Sequence, residues 1–135
     1  MLIVHASAKP SPIHNIGLFA DERIGKGTVT WRFDARLDLL FDQQDVQAMP
    51  EQQQKFLDKY AYLSTCSGKY VFSTDDSRFT NHSTNNNVDS LSFPESTELC
   101  GVANRDIEVG EEILADYRMF DAHDATSTDD YLSLS

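Results

Sequence analysis

The residues best suited to chemistry in this sequence form one short stretch, Arg78 to Ser83, followed by the run Asn85 to Asn87. The side chains of Asn, His and Ser offer paired hydrogen-bond donors and acceptors, and here they follow an arginine and a phenylalanine. This combination indicates a polar constellation on an apolar anchor rather than a surface loop. An Asn-rich segment is also typical of a turn, because Asn tolerates positive φ and bonds its own backbone. Taken alone, the stretch leaves both interpretations open.

Two further stretches flank it. Ser11 to Ala20 reads SPIHNIGLFA, and Gly110 to Tyr117 reads GEEILADY. In this order the three resemble the SET-domain family of S-adenosylmethionine-dependent protein-lysine methyltransferases, whose patterns are SxIHGxGLFA, RFxNHSCxPN and GEELxxDY. Three ordered motifs are far more specific than one. The resemblance covers residues 10 to 120, and the compact chain without flanking zinc-cluster segments resembles the small stand-alone bacterial or viral members.

The resemblance implies roles for particular residues. Tyr117, the last residue of the third motif, is expected to aim its hydroxyl at the reacting centre. The expected contacts with S-adenosylmethionine are the backbone of Asn15, Ile16 and Gly17, together with Arg78, Phe79, Asn81, His82, Tyr117 and Phe120. The expected walls of a substrate channel are Tyr60, Tyr62 and Ala115.

The implied reaction is methyl transfer from the cofactor's sulfonium to a lysine amine, which needs alignment and a neutral nucleophile but no metal ion. The unperturbed lysine pKa is about 10.4, so an aromatic channel beside a sulfonium cation should lower it. Tyrosine hydroxyls and backbone carbonyls can order the methyl group through weak C–H···O contacts. We predict neither a zinc site nor a disulfide framework, because Cys66 and Cys100 have no close Cys or His at ligand spacing.

Ala115 stands two residues before Tyr117, where many family members carry Phe or Tyr. In the family this position tunes how many methyl groups are added, because a Tyr there occupies the room that a second methyl would need. Ala has neither the hydroxyl nor the bulk, so we expect more than one methyl to be added unless Tyr60 or Tyr62 fills the gap. Both tyrosines also suit core or interface packing, and that alternative stays open.

The chain departs from the family patterns at several positions. Asn15-Ile16-Gly17 replaces Gly-x-Gly, and Asn is the next best residue after Gly for positive φ. Thr84 and Asn86 replace the Cys and Pro that follow the NHS triplet, and no cysteine-rich segment follows the third motif. We therefore expect Phe120 and the tail to cover the cofactor's adenine. An inactive SET module that binds cofactor or protein is one alternative function, and a β-rich interaction protein with coincidental motifs is another.

Composition restricts the partners. The chain has 135 residues and a formal charge of -11, with 11 Lys and Arg against 22 Asp and Glu. Direct binding of nucleic acid is disfavoured, because phosphate contacts need basic patches. A basic, for example histone-like, protein or peptide carrying the target lysine is favoured, although an acidic balance also simply keeps a protein dispersed.

Without a membrane-spanning run or a signal peptide we expect a cytoplasmic location, or the host nucleus if the protein is exported by an unrecognised route. The oligomeric state stays open.

The predicted fold is mostly β: a SET-domain, β-clip-like arrangement of short strands with a knot-like C-terminal segment and one helical insert at residues 42–62. The knot-like segment should bring Asn81 and His82 beside Tyr117. We expect a SET domain over residues 1–120 and an acidic, partly ordered tail over 121–135, with Tyr131 and Leu132 available to dock back.

Local patterns predict the elements. Strands are expected at 2–4, 17–20, 69–73, 88–94 and 98–105 and from 113, with a turn at 9–12. Val29, Trp31 and Phe33 alternate, which predicts one common face and a buried Trp31, or a Trp31 that lines a groove. In the insert, Asp42 suits the start of a first helix and Pro50 that of a second. Glu111 and Glu112 are expected in a solvated turn.

Overall fold

Strands dominate the fold of the computed structural model, which describes residues 1–125. In chain order the strands are β1 (Ala6–Pro10), β2 (Ile16–Ala20), β3 (Val29–Trp31), β4 (Asp38–Phe41), β5 (Tyr62–Leu63), β6 (Tyr70–Ser73), β7 (Asn81–His82), β8 (Val88–Leu91), β9 (Cys100–Ala103) and β10 (Glu112–Ala115). The α-helices are α1 (Gln43–Gln47), α2 (Glu51–Tyr60) and α3 (Ala122–Ala125), and short 3-10 helices span Asp76–Phe79 and Tyr117–Met119. Most of the predicted tail, with Tyr131 and Leu132, lies outside the described residues.

The strands form two sheets. The larger has the order β1-β2-β10-β8-β9-β3, with β7 paired to β10, and the smaller has the order β4-β6-β5. β10 runs antiparallel to β2 and parallel to β7 and β8. The last strand within residues 1–125 therefore lies inside the larger sheet, beside β7. This confirms the predicted mostly-β SET fold, in which Asn81, His82 and Tyr117 are brought together.

The main core lies on one face of the larger sheet. Alternation in β2 and β10 sends Leu18, Ala20 and Ile113 into the core, whereas Phe19 and Glu112 form a cross-strand pair on the opposite face. The buried cluster consists of Leu18, Ala20, Ile24, Val88, Ala103, Ile107 and Ile113. This cluster fixes β2, β8 and β10 against one another, and these strands carry or adjoin the three motifs.

Helices occupy the segment where an insert was predicted. α1 begins after Asp42 and α2 begins after Pro50, although neither residue caps its helix with a side-chain hydrogen bond. Phe56 of α2 packs against Phe72 of β6, with their ring centres 5.4 Å apart, and against Tyr60 at 5.2 Å. The insert thereby holds Tyr60 at the end of α2, close to the motif residues. Within residues 1–125, no helix is both long and apolar enough to cross a membrane.

The expected strand at 2–4 is wrong. Only Leu2 forms an isolated bridge, with Trp31, and Ile3 is 54% exposed. The first strand instead runs through Ala6–Pro10, where a turn was predicted from residue 9. Pro10 is tolerated because it ends an edge strand, where its missing N–H removes no interior ladder bond. The turn follows directly, closed by the Ser11 amide bonding the Asn15 carbonyl at 2.9 Å.

The predicted common face of Val29, Trp31 and Phe33 is also wrong. β3 has three residues, its register shifts between Val29 and Trp31, and Thr30 is the residue it buries. Trp31 is half-buried and lines a cavity, in agreement with its alternative placement in a groove. A bulge adds a residue to one strand and turns the following side chains, which period-two counting does not anticipate.

Strand lengths depart from the prediction as well. β8 and β9 pair over Val88–Leu91 and Cys100–Ala103, shorter than the predicted strands, and a turn closed by the Ser96 amide on the Phe93 carbonyl lies between them. β4 was not predicted at all. Asp is disfavoured in strands and Asp38 begins β4, so the local signal was weak, and antiparallel pairing with β6 decides its structure.

Candidate active site

Tyr117 lies just after β10, against β7. Its backbone amide donates to His82 Nδ1 at 3.0 Å, and the two ring centres lie 5.2 Å apart. Its hydroxyl donates to the backbone carbonyl of Thr80 at 2.5 Å. Because this bond uses the hydroxyl proton, the Tyr117 oxygen meets other groups as an acceptor.

Asp116 supports the position of Tyr117. Its carboxylate caps the following 3-10 helix by accepting from the Arg118 amide at 3.0 Å, and it pairs with the Arg118 guanidinium. That pairing is the main reason why the pKa of Asp116 lies below its ordinary value. His82 Nδ1 is 3.8 Å from Asp116.

Asn81 is buried and joins the first motif to the second. Its side-chain nitrogen lies near four oxygens: Ser11 Oγ at 3.3 Å, the carbonyls of His14 at 3.1 Å and Ile16 at 3.2 Å, and Glu112 Oε2 at 2.9 Å. The amide therefore holds the loop between β1 and β2 in place. The motifs predicted that these stretches lie close together, but not this hydrogen-bond network.

The loop between β1 and β2 keeps its shape despite the missing glycine. Asn15 has φ +36°, the only non-glycine residue with positive φ among those the structure describes. Asn adopts this region more readily than other side chains, as the sequence analysis anticipated. Gly17 is needed for a different reason: a Cβ there would lie 2.3 Å from Glu112 Oε2.

A second wall combines cations with aromatic rings. Arg78 lies over Phe79 at 4.8 Å and over Tyr60 at 5.7 Å, measured from guanidinium carbon to ring centre. Lys59 Nζ lies 5.1 Å from the Tyr60 ring centre. The 3-10 helix Asp76–Phe79 positions Arg78 and Phe79.

Two cavities meet at Tyr117. The first, here called the loop cavity, has a volume of about 470 Å³ and is lined by Ile13, His14, Asn15, Ile16, Lys59, Tyr60, Arg78, Phe79, Thr80, Asn81, His82 and Tyr117. The second, here called the channel, has a volume of about 260 Å³ and lies between the two sheets. The residues that line both are Lys59, Tyr60, Arg78, Thr80 and Tyr117. Tyr117 and Thr80, whose hydroxyl and carbonyl are bonded to each other, therefore border both cavities, and this shared wall is here called the junction.

The channel has aromatic walls. Tyr62 packs on Phe120 with ring centres 4.9 Å apart, and Phe120 packs on Tyr117 at 5.7 Å. These three rings, Tyr60, Trp31 and Ala115 all line the channel. Burial, reinforced by the nearby Glu98 carboxylate, raises the pKa of Tyr62 well above its ordinary value. Tyr62 therefore presents a neutral ring and hydroxyl to the channel at any physiological pH.

Most of the predicted site residues line one or both of the two cavities. Asn15, Ile16, Arg78, Phe79, Asn81, His82 and Tyr117 line the loop cavity, and Tyr60, Tyr62 and Ala115 line the channel. Gly17 is buried behind the loop, and Phe120 lines the channel and not the loop cavity. A role for Phe120 over the adenine stays a prediction, as do the individual cofactor contacts.

Several site residues were missed. Glu112 does not lie in a solvated turn: it is part of β10, and its carboxylate accepts from Ser11 Oγ at 2.7 Å as well as from Asn81. Asn87 is buried, and its side chain bonds the Glu112 carbonyl at 2.9 Å and the Leu114 amide at 2.8 Å. In the sequence, only the match of both residues to the family patterns indicated that they belong to the site.

No group of three His, Cys, Asp or Glu within residues 1–125 is arranged to hold a metal ion.

Comparison with known proteins identifies the family. The SET domain model matches residues 15–118, so the chain belongs to the SET-domain family. No curated protein sequence matches the chain.

Solved structures show the same fold. The chain is similar to the crystal structure of a candidate histone methyltransferase of Plasmodium falciparum, with 16% identity and a TM-score of 0.58, over 83% of this chain and 91% of the other. It is also similar to a humanized mutant of the Chaetomium thermophilum Polycomb Repressive Complex 2 bound to the inhibitor GSK126, with 21% identity and a TM-score of 0.63 over 87% of this chain. The match spans only 15% of that second chain. At these identities the similarity shows the fold alone.

Proposed function

We propose that this SET-domain protein is an S-adenosylmethionine-dependent protein-lysine N-methyltransferase. One observation carries the proposal: a loop cavity and an aromatic channel share Tyr117 and Thr80 in their walls, and the Tyr117 hydroxyl is bonded to the Thr80 carbonyl. A transferase that brings two molecules together needs two approaches to one reacting centre. Membership of the SET-domain family supports the same conclusion.

The loop cavity fits the cofactor chemically. Arg78 and Lys59 offer cations for a carboxylate, and the Asn81 side-chain oxygen offers an acceptor for an ammonium group. Phe79 and Tyr60 supply aromatic surface for a base. When bound, S-adenosylmethionine supplies a methyl group on a sulfonium sulfur. His82 and Asn81 would hold it from the side of β7, and the backbone at Asn15 and Ile16 from the side of the loop.

The channel fits the aliphatic stem and amine of a lysine. Its aromatic rings disfavour the charged ammonium, so the amine is more easily deprotonated before transfer. Tyr62 stays neutral, and the cations of Lys59 and Arg78 in the channel wall favour the uncharged amine against the carboxylates of Asp58 and Asp121, which line the channel too. The Tyr117 hydroxyl oxygen and the Thr80 carbonyl act as acceptors that orient the amine and the methyl group.

The substrate is proposed to be a basic, histone-like protein or peptide. The formal charge of -11 favours a cationic partner at long range. The main reason to consider an inactive SET module was the loop in which Asn15-Ile16-Gly17 replaces Gly-x-Gly. Asn15 supplies the positive φ that this loop needs, so the loop geometry gives no reason to expect inactivity.

Calorimetric titration with S-adenosylmethionine tests the proposal. We expect saturable one-site binding and, in a parallel assay with a basic protein, turnover. Binding without turnover on any basic protein would favour the inactive module. No binding at all would refute the proposal and favour a protein that shares the fold without its chemistry.

A further inference from the structure

Glu112 reaches under the loop that lines the cofactor side of the site. It lies in β10 and is half-buried, with Oε1 accepting from Ser11 Oγ at 2.7 Å and Oε2 accepting from Asn81 Nδ2 at 2.9 Å. A Cβ at Gly17 would approach Oε2 to 2.3 Å and Cδ to 2.8 Å. The glycine therefore leaves the space that this carboxylate fills.

The carboxylate determines which way the Asn81 amide faces. Besides Glu112, the amide nitrogen contacts the carbonyls of His14 and Ile16, and all three of these partners can only accept. Turning the amide over would place its oxygen against three acceptors. The Asn81 oxygen must therefore point the other way, and no donor within residues 1–125 bonds it. Asn81 lines the loop cavity, so this oxygen is presented to a ligand there.

The charge on Glu112 has no counterion among the described residues. Neither Ser11 nor Asn81 is charged, and no Lys, Arg or His within residues 1–125 forms an ion pair with Glu112. A half-buried carboxylate without a counterion favours a cation nearby, because partial burial weakens its screening by water. The positive charge of a bound ligand would meet this requirement.

We propose that Glu112 is a positioning and charge-selecting residue: it fixes Asn81 so that its oxygen receives the ligand's ammonium group, and it favours S-adenosylmethionine over S-adenosylhomocysteine. This inference rests on the proposed function. The two ligands share an ammonium and a carboxylate, but only the first has a sulfonium, so it carries one more positive charge. Glu112 thus favours exchange of the spent product for fresh cofactor.

The test compares dissociation constants for both ligands by calorimetry in the wild type, Glu112→Gln and the matched control Glu111→Gln. Glu111 is the preceding residue, but its carboxylate bonds Arg105 and the Glu108 amide, away from the loop. For Glu112→Gln we expect the Kd of S-adenosylmethionine to rise about tenfold and that of S-adenosylhomocysteine about threefold. The KM of S-adenosylmethionine should rise in step with its Kd, so the loss should appear mainly in kcat/KM, as expected for a residue that positions the binding site. Glu111→Gln should change neither constant by more than about twofold.

Ser11→Ala separates positioning from charge and serves if Glu112→Gln fails to fold. It keeps the carboxylate but removes the hydroxyl's bond to Glu112, together with the bonds that the hydroxyl accepts from Asn81 and from the amides of Ile13 and His14 in the loop. Both Kd values should therefore rise equally, by about two- to fivefold. An unchanged ratio of the two Kd values in folded Glu112→Gln, or unchanged binding of both ligands in Ser11→Ala, would overturn the inference. A wild-type protein that binds neither ligand would instead refute the proposed function.

Discussion

At the scale of single residues, the site depends on groups whose hydrogen-bonding capacity is already committed. The Tyr117 hydroxyl gives its proton to the Thr80 carbonyl, and the Tyr117 amide gives its proton to His82. Such fixed partners hold the tyrosine oxygen in one place and one role, that of acceptor. Preorganisation of this kind costs no rearrangement during reaction.

Tyr117→Phe removes that oxygen with little change in shape. We expect kcat to fall at least about tenfold, equivalent to about 1.4 kcal/mol, because the hydroxyl orders the reacting groups during transfer. The Kd of S-adenosylmethionine should change little. Rapid-quench or steady-state kinetics together with calorimetry measure both, and an equal turnover number in the variant would remove Tyr117 from the mechanism.

Ala115 is expected to determine the room beside the substrate amine in the proposed reaction. It is buried in β10 and lines the channel together with Tyr60 and Tyr62. We expect the wild type to add more than one methyl group, and Ala115→Tyr to restrict it towards one if the ring fits without the usual overpacking cost of about 1 to 3 kcal/mol. Mass spectrometry of products with excess enzyme decides this. A wild type that stops at one methyl under these conditions would contradict the expectation.

At the scale of elements, one side chain ties the second motif to the last strand. Asn87 is 1% exposed, and its amide completes the hydrogen bonding of β10 at Glu112 and Leu114. The neighbouring Asn85 is exposed and uses only its backbone amide, to Ser83 Oγ. Two residues of one polar run therefore differ completely in function.

Asn87→Ala should leave buried backbone groups of β10 without partners. We expect the free energy of unfolding to fall by about 1 to 3 kcal/mol, measured by chemical denaturation. Asn85→Ala is the matched control and should change it by less than about 0.5 kcal/mol. Equal stability of the two variants would contradict the role given to Asn87.

The 3-10 helix that carries Arg78 and Phe79 depends on Asp75. Its carboxylate accepts from the Ser77 amide at 3.0 Å, from the Ser77 hydroxyl and from the Leu2 amide at 2.7 Å. Burial alone would raise the pKa of Asp75, but these hydrogen bonds outweigh burial and leave the pKa below its ordinary value. The ionised form thus stabilises the fold.

The lowered pKa of Asp75 in the folded state determines how its contribution to stability changes with pH. The stabilisation by Asp75 is fully present above its unfolded pKa of about 3.9 and is lost as the pH falls through the lower folded value. Denaturation from pH 7 to about pH 2 should therefore show a shallower loss of stability below about pH 4 in Asp75→Asn than in the wild type. Glu95→Gln, which changes an exposed carboxylate, is the control and should follow the wild type. Parallel curves for all three proteins would contradict the assignment.

The sequence was informative where a motif constrains the backbone locally. The Asn15 turn, the Asn81–His82 pair and the segment ending at Tyr117 lie where their patterns predict. Predictions from the sequence were wrong where a residue distant in the chain determines the local structure. Glu112 looked like part of a solvated turn because Ser11, 101 positions away, supplies its partner only in the folded chain. β4 and the bulge in β3 likewise depend on pairing with β6 and β9, which no local pattern records.

At the scale of the whole molecule, the two sheets and the insert enclose a channel that reaches the loop cavity at one junction. The molecule carries a net charge of -11, so association with a basic protein should be favoured and should weaken as salt rises. An acidic protein should gain no such attraction. On the proposed function, the choice of partner is thus a property of the whole charge distribution, whereas the chemistry is assigned to the junction.

The most direct measurement is transfer of isotopically labelled methyl from S-adenosylmethionine to a basic, histone-like protein, with the modified residue mapped by mass spectrometry. We predict label on lysine side-chain nitrogens, strongly reduced in Tyr117→Phe and reduced for an acidic acceptor protein of similar lysine content. Label on another residue type, or undiminished lysine labelling by Tyr117→Phe, would contradict the assignment of the Tyr117 junction as the site of lysine methylation.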